Sequence, residues 1–522
     1  MHSGWSIPEI VQLICSVTEF PELAALARTC RAFQLPALSV LWRDQESWIP
    51  LLKCLPSDLW QQSPDGTQET LDAPNTKLMF RRPIQSSDWA RVLFYAVFVK
   101  SFVEDGRLPH QLAFAVYTSM SFSLPSYPLF PNIHHLTWRP FRDEIFPYLR
   151  ILVGNELQSI RLFLQGSQYI RSSILPYLAT THPKLTHVEL DRPDSHLPVV
   201  EDAIKSTLCS WSNLETLKCS YKLDFPSMLH LARLPSLKIL KLMILPSHSI
   251  TAELQASLTK SMFVPLRELT VHAETLKDAA SFVDAIYPEA LDKLILSVEG
   301  PIEPADWVTL AMPLARTSSK TLSHLSLTET FPIDDGVPDT RMEFLLEADH
   351  LRPLLSFANL EVFRLVSGPG SNLDNAFVKE IALAWPRIRV LDLSCVCQPA
   401  RYTPRVTLAG LVPLAQYCLS LTELTLVFDA STGVDGLATV KPGGGISSRS
   451  LLDLNVGASV LQRDFPAVAS FLSAIFPNLQ TVLTCEDADR NPEVGDWTTS
   501  VFNWEMVHRL VPVFSAARAQ EH

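Results

Sequence analysis

The chain has 522 residues, 47% hydrophobic and 19% charged, which is a globular composition in a chain too long for one ordinary core. The formal net charge is −12, from 43 basic and 55 acidic residues without a dense Lys/Arg run, so a nucleic-acid groove, which needs clustered positive charge, is set aside. Glycine (17) is scarce, leaving little for phosphate-cradling loops, and proline (39) is plentiful, which implies frequent short turns. Nine cysteines without a CxxC make no disulfide scaffold, and no glycosylation sequon occurs. The opening MHSGWSIPEI has no signal-peptide pattern. The most apolar stretch, Val92–Val103, is too short for a bilayer and holds Lys100. The expected setting is cytoplasmic and/or nuclear.

In chain order, Ser6-Ile7-Pro8-Glu9 reads as a helix start, with Ser6 as cap, Glu9 reaching back and Pro8 in the first turn. Ile7, Ile10, Val11, Ile14 and Val17 follow at helical spacing. Pro21 opens a second helix with Leu23, Leu26, Ala27 and Cys30 on one face, and a third runs from Phe33 through Leu35, Leu38, Leu41 and Trp42. Three short helices cannot bury all this apolar surface among themselves, so part of it faces a partner.

The residues Ile7-Pro8-Glu9-Ile10, Ile14, Leu23 to Leu26, Cys30-Arg31-Ala32-Phe33 and Leu41-Trp42 stand in an order that resembles the F-box, over about residues 4–48. Ile7 replaces the usual leucine, and Phe33 takes the aromatic position. The resemblance implies docking to the Skp-family adaptor, and through it a cullin, of an SCF-type ubiquitin ligase. Carried over, Ile7, Pro8, Ile10, Ile14, Leu23, Leu26, Cys30 and Phe33 would bind the adaptor or support its binding. The same residues would also serve as an ordinary core of the three helices.

Pro56–Pro83 reads as loop and linker, and Asp88-Trp89 opens an apolar helix to about Val103 that joins the module to a repeat array. The domain reading is therefore an F-box-like helical module over 1–50, linker and connecting helices over 51–125, and the repeat array over 126–522 with a C-terminal helical cap.

The array is legible as a recurrent pattern: apolar, two variable, apolar, variable, apolar. Its first apolar residues are Ile133, Leu157, Leu185, Leu214, Leu237, Leu266, Leu291, Leu322, Leu360, Ile388, Leu421, Leu451 and Leu479, separated by 23 to 38 residues. Helical stretches at Val199–Cys209, Ala252–Met262, Ala279–Ile286, Asn375–Ala384 and Ala467–Ile475 lie between. The pattern resembles the leucine-rich repeat and implies an α/β fold, a curved solenoid of alternating strands and helices. The asparagine or cysteine usual after the last apolar position is missing in nearly all units. Two insertions stand out, Thr328–Leu351 and Asp429–Arg449; the second holds Lys441-Pro442-Gly443-Gly444-Gly445 and reads as a mobile loop.

Strand residues between the leucines should line the concave face and meet a target protein. They are His187, Glu189, Asp191, Lys241, His272, Lys293, Arg364, Asp392, Glu423 and Asp453, whose mixed charges suit a protein better than a polyanion. Catalytic signatures are not found: no HExxH, no GxSxG, no nucleotide loop. His134-His135 lack metal-ligand spacing, Cys395-x-Cys397 reads as repeat core, and Asp334-Asp335 as solvated loop. No cofactor, metal or membrane is expected, and the chain is not read as an enzyme. The expected role is the substrate receptor of a cullin-RING ligase; the alternative is a repeat scaffold whose N-terminal helices only cap the array.

Overall fold

The computed structural model describes residues 7–64, 76–106, 110–140, 142–164, 167–191, 198–244, 262–286, 289–300, 302, 304–317, 320–330, 347–367, 372–395, 404–431, 442–462, 464–484 and 495–521. The chain divides into two compact units, 1–237 and 238–522. Both are α/β, with parallel strands alternating with helices.

The first unit begins with α1 (Pro8–Ser16), α2 (Phe20–Leu26) and α3 (Arg31–Leu41). α1 and α2 both pack on α3. Prolines sit at the starts of α1 and α2, where a missing N–H costs nothing. The cap of α1 is Ile7, in extended backbone and without a side-chain bond, which corrects the expectation of a Ser6 cap; Ser6 itself lies outside the described residues. Cys30 precedes α3 as its cap instead of sharing a face of α2.

The ladder starts earlier than residue 126. β1 (Asp44–Gln45) follows α3 directly and pairs with β4 (Ser101–Asp105). From β4 the parallel order runs through β6 (His135–Arg139), β7 (Ser159–Phe163), β8 (His187–Asp191) and β9 (Thr216–Lys222). α4 (Ile49–Leu52) comes next, and the segment read as linker and connecting helices holds a second small sheet. In that sheet β2 (Trp60–Pro64) pairs antiparallel with β3 (Thr76–Phe80), which pairs parallel with β5 (His110–Leu112). The helix expected over Asp88–Val103 stops early: α5 spans Ala90–Ala96, and the chain then extends into β4. A 3-10 turn at Ser86–Trp89 leads into it, fixed by Arg82, whose guanidinium bonds both Asp88 and Asp58. α6 (Phe114–Ser123), α7 (Gln168–Thr181), α8 (Pro198–Leu208) and α9 (Phe225–Ala232) complete the unit.

The second unit continues the alternation. Its strands are β10 (Ile239–Met243), β11 (Glu268–Ala273), β12 (Lys293–Val298), β13 (His324–Glu329), β14 (Val362–Ser367), β15 (Val390–Cys395), β16 (Glu423–Leu426), β17 (Asp453–Gly457) and β18 (Thr481–Thr484). Each pairs in parallel with the next. The helices are α10 (Leu276–Ile286), α11 (Pro304–Thr317), α12 (Ala348–Leu351), α13 (Asn375–Ala384), α14 (Leu411–Tyr417), α15 (Phe465–Ile475) and α16 (Gly495–Glu521). α16 packs on α15 and β18. Asp224 and Asp374 cap α9 and α13 by accepting the N–H of Ser227 and Phe377. The helical stretch expected at Ala252–Met262 falls outside the described residues except for its last position, as do Asp334-Asp335, Cys397 and Lys441.

The recurrent leucines are the core. Leu266, Leu269 and Val271, then Leu291, Leu294 and Leu296, and their successors down to Leu451, Leu454 and Val456 are all fully enclosed. Each such side chain contributes about 1.5–3 kcal/mol of burial, and only the stack provides the burial.

The strand entries are tied by the backbone. At each strand entry one carbonyl accepts two successive N–H groups of the next strand. In the first unit these carbonyls are Arg43, Lys100, His134, Gln158 and Thr186. In the second they are Lys238, Arg267, Asp292, Ser323, Glu361, Arg389, Thr422 and Leu452. Nor is Pro442–Gly445 a free loop: Gly443 (φ 65°) lies so close to α15 that a Cβ there would stand 2.5 Å from Ile475 Cγ2.

Candidate functional site

Two surfaces carry the candidate residues. The first is the outer face of α1–α3. Val11, Cys15, Leu23 and Ala37 form a core of their own, with Leu26, Ala27, Phe33, Val40 and Leu41 packed around it. Once that core is made, six large apolar side chains stay uncovered: Ile7, Ile10, Leu13, Val17, Phe20 and Leu35, between 41% and 78% exposed. The apolar face of α1 is wide, leaving only a narrow stripe to Glu9, Gln12 and Ser16, so burying part of it leaves the rest in water.

The adaptor-binding candidates divide accordingly. Ile7, Pro8 and Ile10 are exposed and available to a partner. Ile14, Leu26, Cys30 and Phe33 are half-buried. Leu23 is 1% exposed and belongs to the helix core, so its part is support. Leu13 and Phe20 were not among the candidates, although Leu13 stands one turn after Ile10 on the uncovered side. Next to the module, Trp42 stacks on Tyr95 with ring centroids 4.5 Å apart, and Phe94 of α5 is exposed beside it.

The second surface is the sheet face of each unit, formed by the strand residues that alternate with the leucines. In the first unit Glu189 is already occupied: Arg161 lies 3.3 Å and Lys218 3.5 Å from its carboxylate. Arg161 also bonds Asp191 at 2.8 Å, and Arg139 lies 4.1 Å over the Phe163 ring. His187 is exposed and bonded to Thr186. Arg161, Lys218 and Arg139 were not singled out from sequence, because only the register of neighbouring strands brings them to their partners.

In the second unit the structure gathers the candidates into two groups. Lys241 stands near His272, whose imidazole is held below its ordinary value first by burial and then by the Lys241 charge. Arg364, Asp392 and Glu423 come together on β14, β15 and β16: Arg364 reaches across β15 to Glu423 at 3.2 Å. Burial pushes the Asp392 carboxyl up, against hydrogen bonds from Ser394 and Thr425 and the Arg364 charge. Lys293 pairs with Glu268 at 3.7 Å, and Asp453 accepts from Thr481.

Among the described residues no group of three His, Cys, Asp or Glu is placed to hold a metal ion. The rings of His134 and His135 are 6.4 Å apart. No helix among those residues is long and apolar enough to cross a membrane.

No family model matches the chain, and no curated protein does. Among solved structures it is similar to the yeast Rad7 and Elc1 complex, at 13% identity and a TM-score of 0.38, over 93% of this chain and 91% of that one. It is also similar to a leucine-rich-repeat protein of Leptospira interrogans, at 13% identity and a TM-score of 0.33, over 68% of this chain and 79% of that one. Within each unit the alternation of parallel strands and helices is that of an α/β repeat fold.

Proposed function

We propose that the chain is a substrate receptor of an SCF-type cullin-RING ubiquitin ligase. α1–α3 dock the Skp-family adaptor, and the sheet faces of the repeats hold a target protein in the cytoplasm or nucleus. The observation that carries this reading is the uncovered apolar face of three helices that already possess a core. A set of exposed large apolar side chains on a short helical module is what a protein partner covers. Catalysis would be proximity alone: a target lysine is brought to the charged conjugating enzyme and its effective concentration rises. No residue of this chain forms a covalent intermediate in that scheme.

The test is a pull-down of the full chain with purified Skp-family adaptor. Binding is expected, and Ile7→Ala with Pro8→Ala is expected to weaken it, because interface energy concentrates in a few buried anchors. No binding by the intact chain overturns the ligase reading; unchanged binding by the double variant overturns the residue assignment.

One observation favours a second reading, in which the helices only cap the repeats. β1 follows α3 directly and pairs Asp44 with Ser101 and Gln45 with Phe102, so the module is continuous with the ladder. A pure cap binds no adaptor, and its removal unfolds the first strands; a docking module binds adaptor.

A further inference from the structure

The inward positions of the first unit's ladder share one register line: Glu104 on β4, Trp138 on β6, Leu162 on β7, Leu190 on β8 and Cys219 on β9. Four of the five are apolar and almost wholly enclosed. The exception is an acid, placed where the repeat pattern calls for a leucine.

Its surroundings are aromatic. The Tyr117 hydroxyl of α6 donates to Glu104 Oε1 at 2.8 Å, and Tyr117 is itself 1% exposed. Trp48, just after β1, sits edge-on to Phe102 at 4.8 Å and to Tyr117 at 6.0 Å, with Phe130 at 6.1 Å. The groups acting on the carboxyl are Tyr117, the Trp48 indole and the like-charged Asp105. None of these is a cation, and Arg139 lies 4.0 Å from Asp105 instead. Tyr148 lies beside Tyr117 with its ring tilted and the centroids 5.8 Å apart, and its hydroxyl is 3.0 Å from Thr118 Oγ1.

The strand that carries Glu104 is also the one that fastens α1–α3. β1 pairs with β4 through two residues, and the Lys100 and Ser101 N–H groups both bond the Arg43 carbonyl at the end of α3. Trp48 closes over the same spot.

We propose that Glu104 is a pH-sensing residue at this joint: its ionisation loosens β4 and α6, and with them the attachment of the N-terminal helices to the ladder. An ionised carboxylate facing an apolar core without a cation is costly, whereas the neutral acid with one hydroxyl partner is tolerated. Although the residue as a whole keeps some exposed surface, its carboxyl is enclosed, and burial pushes it up to about 7. The direction follows from the raised value. The neutral form prevails at low pH in folded and unfolded chain alike; as pH rises past the ordinary carboxylate range towards 7, the fold resists an ionisation that opening permits. The joint is therefore firmest below the ordinary carboxylate range, weakens as pH rises from that range to about 7, and stays level above it, where the carboxyl is ionised in both states.

The experiment is hydrogen exchange followed by mass spectrometry on the full chain between about pH 4 and 8.5, corrected for intrinsic exchange. In the wild type, protection of peptides covering 44–48, 101–106 and 114–123 should fall by up to about tenfold per unit as pH rises from the ordinary carboxylate range to about 7, and should level off above it. Peptides from β14–β17 serve as the internal reference. Glu104→Gln keeps an acceptor for Tyr117 and should hold protection flat across the range. Tyr117→Phe removes a bond that favours the charged form and should carry the fall on to higher pH before it levels off. A flat wild-type profile, or a Glu104→Gln profile that reproduces the wild-type fall, overturns the proposal. Should Glu104→Gln fail to fold, the direction of the Tyr117→Phe shift decides it.

Discussion

Leu13 and Leu23 belong to the same small module and should respond to truncation in opposite ways. Leu23 is 1% exposed and touches the core made with Val11, Cys15 and Ala37. Leu23→Ala removes buried methyl groups and leaves a cavity, which costs about 2–5 kcal/mol. A core of so few residues cannot absorb that loss, since a whole domain is stable by only about 5–15 kcal/mol. Leu13 is 65% exposed, so in the free chain Leu13→Ala changes stability little. Covering the remaining two-thirds of a leucine is worth about 1–2 kcal/mol, or about tenfold in affinity. Hydrogen exchange across residues 8–41 reads the first effect, and surface plasmon resonance with immobilised Skp-family adaptor reads the second. Leu13→Ala should bind about tenfold more weakly with protection intact, and Leu23→Ala should lose protection and binding together. If Leu13→Ala binds as the wild type does, or Leu23→Ala keeps full protection, the division into core and docking face is refuted.

Burial pushes the thiols of Cys219 and Cys418 up to about 12, and both side chains are enclosed, so maleimide should label exposed Cys209 in the native chain and these two only after denaturation. Asp224→Ala and Asp374→Ala each remove a helix cap and should lower stability by about 1 kcal/mol, read by urea titration. Burial raises the Asp392 carboxyl, so its contribution to stability is highest at low pH and declines as pH rises past the ordinary carboxylate value. Asp392→Asn should therefore raise the melting temperature at pH 8, with a gain that shrinks towards pH 4; a gain independent of pH would contradict this.

The repeats were legible because a strand with one face in the core writes leucine at every second position, as Leu294 and Leu296 do. The first two strands escaped for the same reason. β1 is Asp44-Gln45, and β4 carries Glu104 at an inward position, so neither shows the pattern. β2 and β3 were hidden by Gln61, Gln62, Ser63 and Pro64, which read as linker although their strand is paired along its length. In α1 the helical period was visible, but it could not say which part of so wide an apolar face meets its neighbours. Val11 and Cys15 turned inward, and Ile10 and Leu13 did not. On the sheet face the Arg364–Glu423 pair spans 59 residues of sequence and exists only through the register of three strands.

The paired N–H groups at each strand entry have a consequence for how the chain can change. Where a repeat is tied to the next by a side-chain ladder, its place is written in a particular residue type. Here the tie is one carbonyl and two amides, from Arg43 through Leu452, and the residues that supply it include arginine, histidine, glutamine, threonine, aspartate and leucine. Any residue with a free carbonyl serves. Units are thus interchangeable at their seams, and a duplication or excision that runs from one strand entry to the equivalent point of another meets a matching backbone junction. Only the apolar faces of the flanking helices then decide whether the new neighbours fit.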